Sequence, residues 1–429
     1  MHKLFLKLLI IISFCQGLLF YVGIPNIIYK SLVIGLVIVC LSMLLIGDGR
    51  FKKDSIIGLF ILYSLILVIS SLINSSNPVD FISYILYLLP GVVVYTYMRN
   101  VQFNHLELIK LNNLFFFIYI FQIFFSVLKL IFWGRTEAVV GTMHYSGGSL
   151  NTVVPLVGIS MLIAFYVLNK NKPLYIFLIL GFLFMGWVGE KRGIYFYFIA
   201  LTLFAYYFNS KINKNQNILK IIRQGVILSL FIMVVFYIGA KYTLTLNPES
   251  IIGGSFDFYH IYNYAYQYST NIDYAGYSSG RFSGLIAVFN SMLEKETINK
   301  LFGFGPSELI GARFLDNKQY AYGVSRLMAI NGWSTSLISI GFIGALTTVI
   351  FYFYISVAVY NYIKIEQDPY WKSISFGIFL ITIVFFLDFF TYTRSFYHSI
   401  PLNITLLYGY GILKTKNYYN KFQMVKYLD

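Results

Sequence analysis

The heptapeptide Leu301-Phe302-Gly303-Phe304-Gly305-Pro306-Ser307 lies inside a polar interruption that runs from about Asn247 to about Trp333. The same interruption carries Ser278-Ser279-Gly280-Arg281-Phe282. It decides the fold because the chain on either side is almost entirely apolar. A helix needs about 20 apolar residues to cross a bilayer. On that rule spans fall near 4–24, 27–46, 55–73, 79–98, 111–133, 150–168, 173–189, 193–208, 225–246, 334–359, 373–392 and 396–413. The expectation is an all-α, polytopic integral membrane protein with about twelve transmembrane helices and one large external loop. Three segments result: spans one to nine over 1–246, the loop over 247–333, and spans ten to twelve with a polar tail over 334–429.

Composition agrees. Of 429 residues, 58% are hydrophobic and 11% charged, with a mean hydropathy of +0.71. Soluble domains carry about 25% charged residues, so this chain lacks the polar surface to sit in water. The net charge of +15 imitates a nucleic-acid binder, but the basic residues lie in short connectors, where they set topology. No basic domain exists, and no nucleic-acid partner is expected. The two cysteines, Cys15 and Cys40, both fall in apolar spans, which excludes a disulfide framework and a thiolate zinc site. The first span resembles a secretory signal but is followed by no small-x-small cleavage site, and Phe14 before Cys15 is wrong for lipoprotein processing. It is expected to be a retained helix.

Sidedness follows from the connectors. With the N-terminus inside, the inner connectors hold nineteen basic residues and the short outer ones hold five: Lys30, Arg135, Lys191, Arg192 and Arg394. Both termini are therefore expected in the cytoplasm and the large loop outside, periplasmic or extracellular, on the cytoplasmic (inner) membrane. Lysine suffices for topology. Yet six of nine arginines, Arg135, Arg192, Arg281, Arg313, Arg326 and Arg394, fall on the outer side. Arginine's planar fork grips phosphate oxygens in pairs, so this bias points to an anionic ligand there, a diphosphate at the membrane surface fitting best.

Several motifs carry this chemistry. Gly189-Glu190-Lys191-Arg192-Gly193 is a tight turn between two spans, and ionisable groups at that depth are functional by default. Glu190 is a candidate base or a partner for Lys191 or Arg192. The connector Arg135 to His144 contains arginine, glycine and a histidine that is either a base or structural. In Ser279-Gly280-Arg281 the glycine permits close backbone approach and the arginine supplies the fork. Tyr259, Tyr262, Tyr264, Tyr266, Tyr268, Tyr274 and Tyr277 either stack on sugar rings or form an interfacial helix. Asp388 is expected to pair with Arg394. No Walker loop, Asp-x-Asp site or His/Cys cluster is present, and no metal or cofactor is expected. The inner connectors are too short to hold a nucleotide-sugar domain, so a glycosyl donor, if the chain uses one, must come from the membrane.

Three stretches taken together resemble the Wzy-type O-antigen and capsule polymerase and O-antigen ligase superfamily. They are Arg135 to Asn151, Gly189 to Gly193, and the large loop with Ser279-Gly280-Arg281 and Leu301 to Gly305, followed by Asn331-Gly332-Trp333-Ser334. Ligases commonly place a histidine just before the asparagine of the last motif. This chain has Ile330 there, which favours a polymerase. The resemblance implies a GT-C-like, metal-independent, inverting glycosyltransferase that joins undecaprenyl-diphosphate-linked repeat units into O-antigen or capsular polysaccharide. It implies a lipid-linked glycan donor and acceptor, with a flippase and a chain-length regulator as partners. Arg192 and Arg281 are expected to clamp the leaving diphosphate, with Glu190 as general base. Arg135, His144, Arg313, Arg326 and Asn331 are expected to help bind substrate. A ligase and, from another class, a lipid-linked oligosaccharide flippase are the alternatives.

Overall fold

The apolar stretches fold as helices, and no strand occurs among the described residues. These are residues 2–46, 54–136, 141–143, 148, 150–168, 172–212, 230, 233–270, 281–307, 331–391 and 399–426 of a computed structural model. In chain order the helices are α1 (His2–Ser13), α2 (Gln16–Tyr21), α3 (Asn26–Ile46), α4 (Ser55–Ile73), α5 (Pro78–Asn100), α6 (His105–Trp133), α7 (Leu150–Leu168), α8 (Pro173–Val188) and α9 (Gly193–Ile212). Then come α10 (Met233–Tyr242), α11 (Phe258–Thr270), α12 (Arg281–Leu293), α13 (Thr297–Phe302), α14 (Gly332–Ile365), α15 (Pro369–Thr391) and α16 (Ile400–Lys426).

Seven of them, α3 to α7, α14 and α15, are long and apolar enough to cross a membrane, so the chain is a polytopic transmembrane protein. The polar interruption is itself largely helical in its described part, through α11, α12 and α13. The span expected over 225–246 is described only at residue 230 and from 233 onward.

Burial ranks the helices. In α7, 89% of the apolar window is buried, against 22% in α3. α7 packs against α8, α9 and α15, while α16 packs against α5. Residues 400–413 of α16 are buried on all sides, which is why this helix tolerates Asn403 and Thr405: polar residues belong where helix meets helix rather than lipid. Tyr119 and Thr405 share a hydroxyl hydrogen bond of 2.6 Å, and Thr415 donates to the Met98 carbonyl at 2.7 Å. Outer helices turn large side chains outward, among them Ile38, Phe117, Phe132, Phe177 and Phe353, each more than half exposed. An apolar belt of that size belongs in lipid.

Two expected spans are not single helices. The stretch 4–24 breaks after Ser13. Residues 141–143 enter the bundle there: Gly17 N–H donates to the Thr142 carbonyl at 2.8 Å, and the Thr142 hydroxyl donates to the Phe14 carbonyl at 3.0 Å. Tyr29 takes the Ser13 carbonyl. Gln122 pins the intruding segment by accepting from Thr142 N–H at 2.8 Å and donating to its hydroxyl at 2.9 Å. Gln122 lies eleven residues before the end of α6, about 16 Å along the axis. Non-helical backbone at such depth survives only when protein covers it, and Thr142 and Met143 are buried.

The second break is inside α14 at Gly341, whose φ is +65°. The segment Gly303–Gly305 docks there. Phe304 N–H donates to the Ile338 carbonyl at 2.7 Å and Gly305 N–H to the Ser339 carbonyl at 3.1 Å. Ser70 is a second donor to the Ser339 carbonyl, and Asn74 holds the Gly303 carbonyl. A Cβ on Gly303 would stand 2.5 Å from Ile340 N, and one on Gly341 would stand 2.4 Å from the Leu301 carbonyl. The Leu-Phe-Gly-Phe-Gly motif thus closes a broken helix backbone to backbone.

The bundle has two chemically different ends. At one, Lys3 pairs with Glu107, Asp54 forms ion pairs with Arg99 and Lys414, and Lys416 pairs with Glu366. Chain segments near both termini therefore reach the same end. The other end gathers the connectors that hold the sequence motifs.

Candidate functional site

The α8–α9 turn is built by backbone caps. Glu190 N–H donates to the Trp187 carbonyl and Lys191 N–H to the Gly186 carbonyl, each at 3.0 Å. This is the Schellman pattern, whose left-handed position usually falls to glycine. Here Glu190 holds it, with φ +57°, at a strain of about 1–2 kcal/mol. Gly189 has an ordinary φ of −81°. It must be small for another reason: a Cβ there would stand 2.6 Å from Asn151 Cγ at the start of α7.

The turn buries Lys191 and carries Arg192 to α11. The Arg192 guanidinium carbon lies 4.3 Å from the Tyr264 ring centre and 5.2 Å from that of Tyr268. The two rings are four residues apart, hence on one helix face, 6.1 Å from centre to centre with an interplanar angle of 19°. Ile261, buried on the same helix, anchors it. Arg192, Tyr264 and Tyr268 border a cavity of about 490 Å³. Phe196 and Tyr197 of α9, Phe390 and Thr391 of α15 and Phe282 of α12 complete most of its wall. Tyr197 and Thr391 share a hydroxyl hydrogen bond. A cation in the wall of an aromatic chamber is chemically suited to an anion joined to an apolar or ring-bearing group.

Arg281 is the first residue of α12, directly before the cavity residue Phe282, so the chain brings the positions of Arg192 and Arg281 to one cavity. Glu190 is two residues from Arg192. Arg135 takes a different place. It lies 4.5 Å from the Trp187 ring centre and donates to the Trp187 and Tyr242 carbonyls within 3.5 Å. Thr136 N–H donates to the Val188 carbonyl. These groups satisfy carbonyls at the C-terminal end of α8, where positive charge is favoured. Arg135 is absent from the cavity wall and braces the turn that presents Arg192.

Asn331 caps α14 by accepting from Ser334 N–H at 2.8 Å, and donates to the Phe390 carbonyl at 2.7 Å. Fully buried, it ties α14 to the end of α15 that forms the cavity wall. Trp333 stacks on Phe390 at 5.4 Å. Asp388 is buried three residues before Thr391; its expected partner Arg394 lies outside the described residues, as do His144, Arg313 and Arg326.

The tyrosine run divides by face. Tyr264 and Tyr268 turn to Arg192, while Tyr262 and Tyr266, ring-stacked on each other, are 58% and 59% exposed. Their readable signal was the i, i+4 spacing. Sequence reasoning passed over Gln122 and Lys129. Lys129 is buried on α6 and donates to the Thr136 carbonyl. Both were visible as polar groups inside an apolar span. Among the described residues no group of three or more His, Cys, Asp or Glu side chains is placed to hold a metal ion.

No protein-family model matches the chain, and no curated protein matches it.

Proposed function

We propose that the chain is a glycosyltransferase that polymerises lipid-diphosphate-linked oligosaccharide repeat units on the outer side of the cytoplasmic membrane. The supporting observation is Arg192 in the wall of a 490 Å³ aromatic cavity that also meets the helix begun by Arg281. In the proposed step a sugar hydroxyl of the acceptor unit attacks C1 of the donor sugar. The C1–O bond to the diphosphate breaks, the electron pair leaves with the diphosphate, and the diphosphate remains on its lipid. The hydroxyl proton passes to Glu190. Arg192 and Arg281 stabilise the charge that develops on the leaving group, together with the positive end of the α12 dipole. The aromatic walls suit sugar faces and the first units of an apolar lipid. Arg135 and Asn331 support this site by holding the turn and the α14–α15 corner. The strongly basic end of the bundle faces the cytoplasm under the positive-inside rule, which turns the cavity outward.

The test is the lipid-linked glycan profile of cells. Arg192→Ala or Arg281→Ala should leave the protein in the membrane and yield single repeat units. Polymer of normal length from both would remove the assignment. Accumulated long polymer on the lipid carrier would instead identify a ligase. A second reading, transport of the lipid-linked unit, draws on the broken helix at Gly341, since transporters build sites at discontinuous helices. Against it, the Ile338 and Ser339 carbonyls at that break are already engaged by the chain's own donors. Flipping in liposomes without glycan extension would favour transport.

A further inference from the structure

We infer that Tyr264 and Tyr268 are positioning residues that fix the Arg192 guanidinium before any ligand arrives. What the arginine is held ready for, a diphosphate ester, rests on the reading proposed above. Arginine's stem is flexible, and a guanidinium not positioned beforehand would have to be ordered during binding. Two rings on one helix face, at 4.3 and 5.2 Å from the guanidinium carbon, supply that order in advance. A ring attracts the cation electrostatically through its face and occupies none of an anion's acceptor sites. The helix carrying the rings is itself held: Ile261 is 2% exposed, α11 packs on α12, and α12 packs on α14, where Phe289 meets Phe342 edge to face at 5.7 Å. The tyrosines on the opposite face, Tyr262 and Tyr266, provide an internal comparison with the same chemistry and no arginine among their described contacts.

The experiment uses the full chain in nanodiscs and has two arms, with variants compared at matched thermal midpoints. The first needs no ligand. Arg192 is labelled with the arginine reagent phenylglyoxal and its peptide quantified by mass spectrometry. The double variant Tyr264→Leu/Tyr268→Leu should label about five-fold faster, corresponding to about 1 kcal/mol of lost ring attraction. Tyr264→Phe/Tyr268→Phe, which keeps the rings, and Tyr262→Leu/Tyr266→Leu should stay near the wild-type rate. Equal labelling of Arg192 in the wild type and the Tyr264/Tyr268 leucine pair overturns the inference. The second arm measures binding of farnesyl diphosphate. That leucine pair should lose about five- to thirty-fold in affinity, with the phenylalanine pair restored. Binding that is tight in the wild type and unchanged in the leucine pair also overturns it. If the wild type fails to bind farnesyl diphosphate while labelling responds as expected, the positioning stands and the diphosphate reading falls.

Discussion

Glu190 shows what one residue discloses when its backbone and side chain are considered together. Its left-handed φ of +57° is a place for glycine, and strain kept beside a cavity is a pointer to use. Glu190→Gly should raise the unfolding free energy by about 1 kcal/mol, read from thermal denaturation, while abolishing chain extension. Glu190→Gln should keep the strain and lose extension as well. A Glu190→Gly protein that polymerises normally removes Glu190 as base. A different carboxylate carries a pH prediction. Glu249 accepts from the Ser255 hydroxyl and the Ser255 N–H, and these hydrogen bonds hold its carboxyl below the usual range. A depressed carboxylate supports its structure above the ordinary glutamate pKa and loses that support as pH falls through the folded value. Hydrogen exchange at Ser255 should therefore quicken, beyond its intrinsic pH trend, only in that acid range. The same protection on the acid side of that folded value as at pH 7 would refute it.

The helices themselves were legible, because about 20 apolar residues in a row leave little choice. What the sequence hid were the interruptions. The stretch around Ser13 looks continuous, and its break depends on Thr142 and Gln122, far along the chain. At Gly341 the glycine was visible, but nothing local announced that Gly303 and Gly305 would lie against it. Long-range backbone contacts of this kind have no periodicity to read. Two substitutions test them. Gln122→Leu leaves the Thr142 N–H buried without its acceptor, a loss of about 1–3 kcal/mol. Gly341→Ala combines a positive φ with a backbone clash at 2.4 Å and should be worse, detectable as failure to recover folded protein from detergent. The motif arginines fared unevenly for a related reason: arginine at a connector answers equally well to a ligand or to the bare carbonyls of a helix end. Arg192 went to a cavity and Arg135 to the α8 terminus.

At the scale of the molecule, the charge pattern and the packing agree on two unlike ends. Lys3, Arg99, Lys414 and Lys416 gather at one, and Arg192 with its cavity at the other. With Cys15 and Cys40 replaced by alanine, Tyr259→Cys should react with an impermeant maleimide in intact cells, and Gln367→Cys only after permeabilisation. Labelling of both from one side would overturn the arrangement. The split first span also carries a consequence for biogenesis. Its break is held open by Thr142, 128 residues downstream of Phe14. While the ribosome is still making α3 to α5, that partner does not exist. We therefore expect a chain stalled before residue 130 to present residues 4–24 to lipid as one continuous crossing, to be remodelled once the connector after α6 emerges.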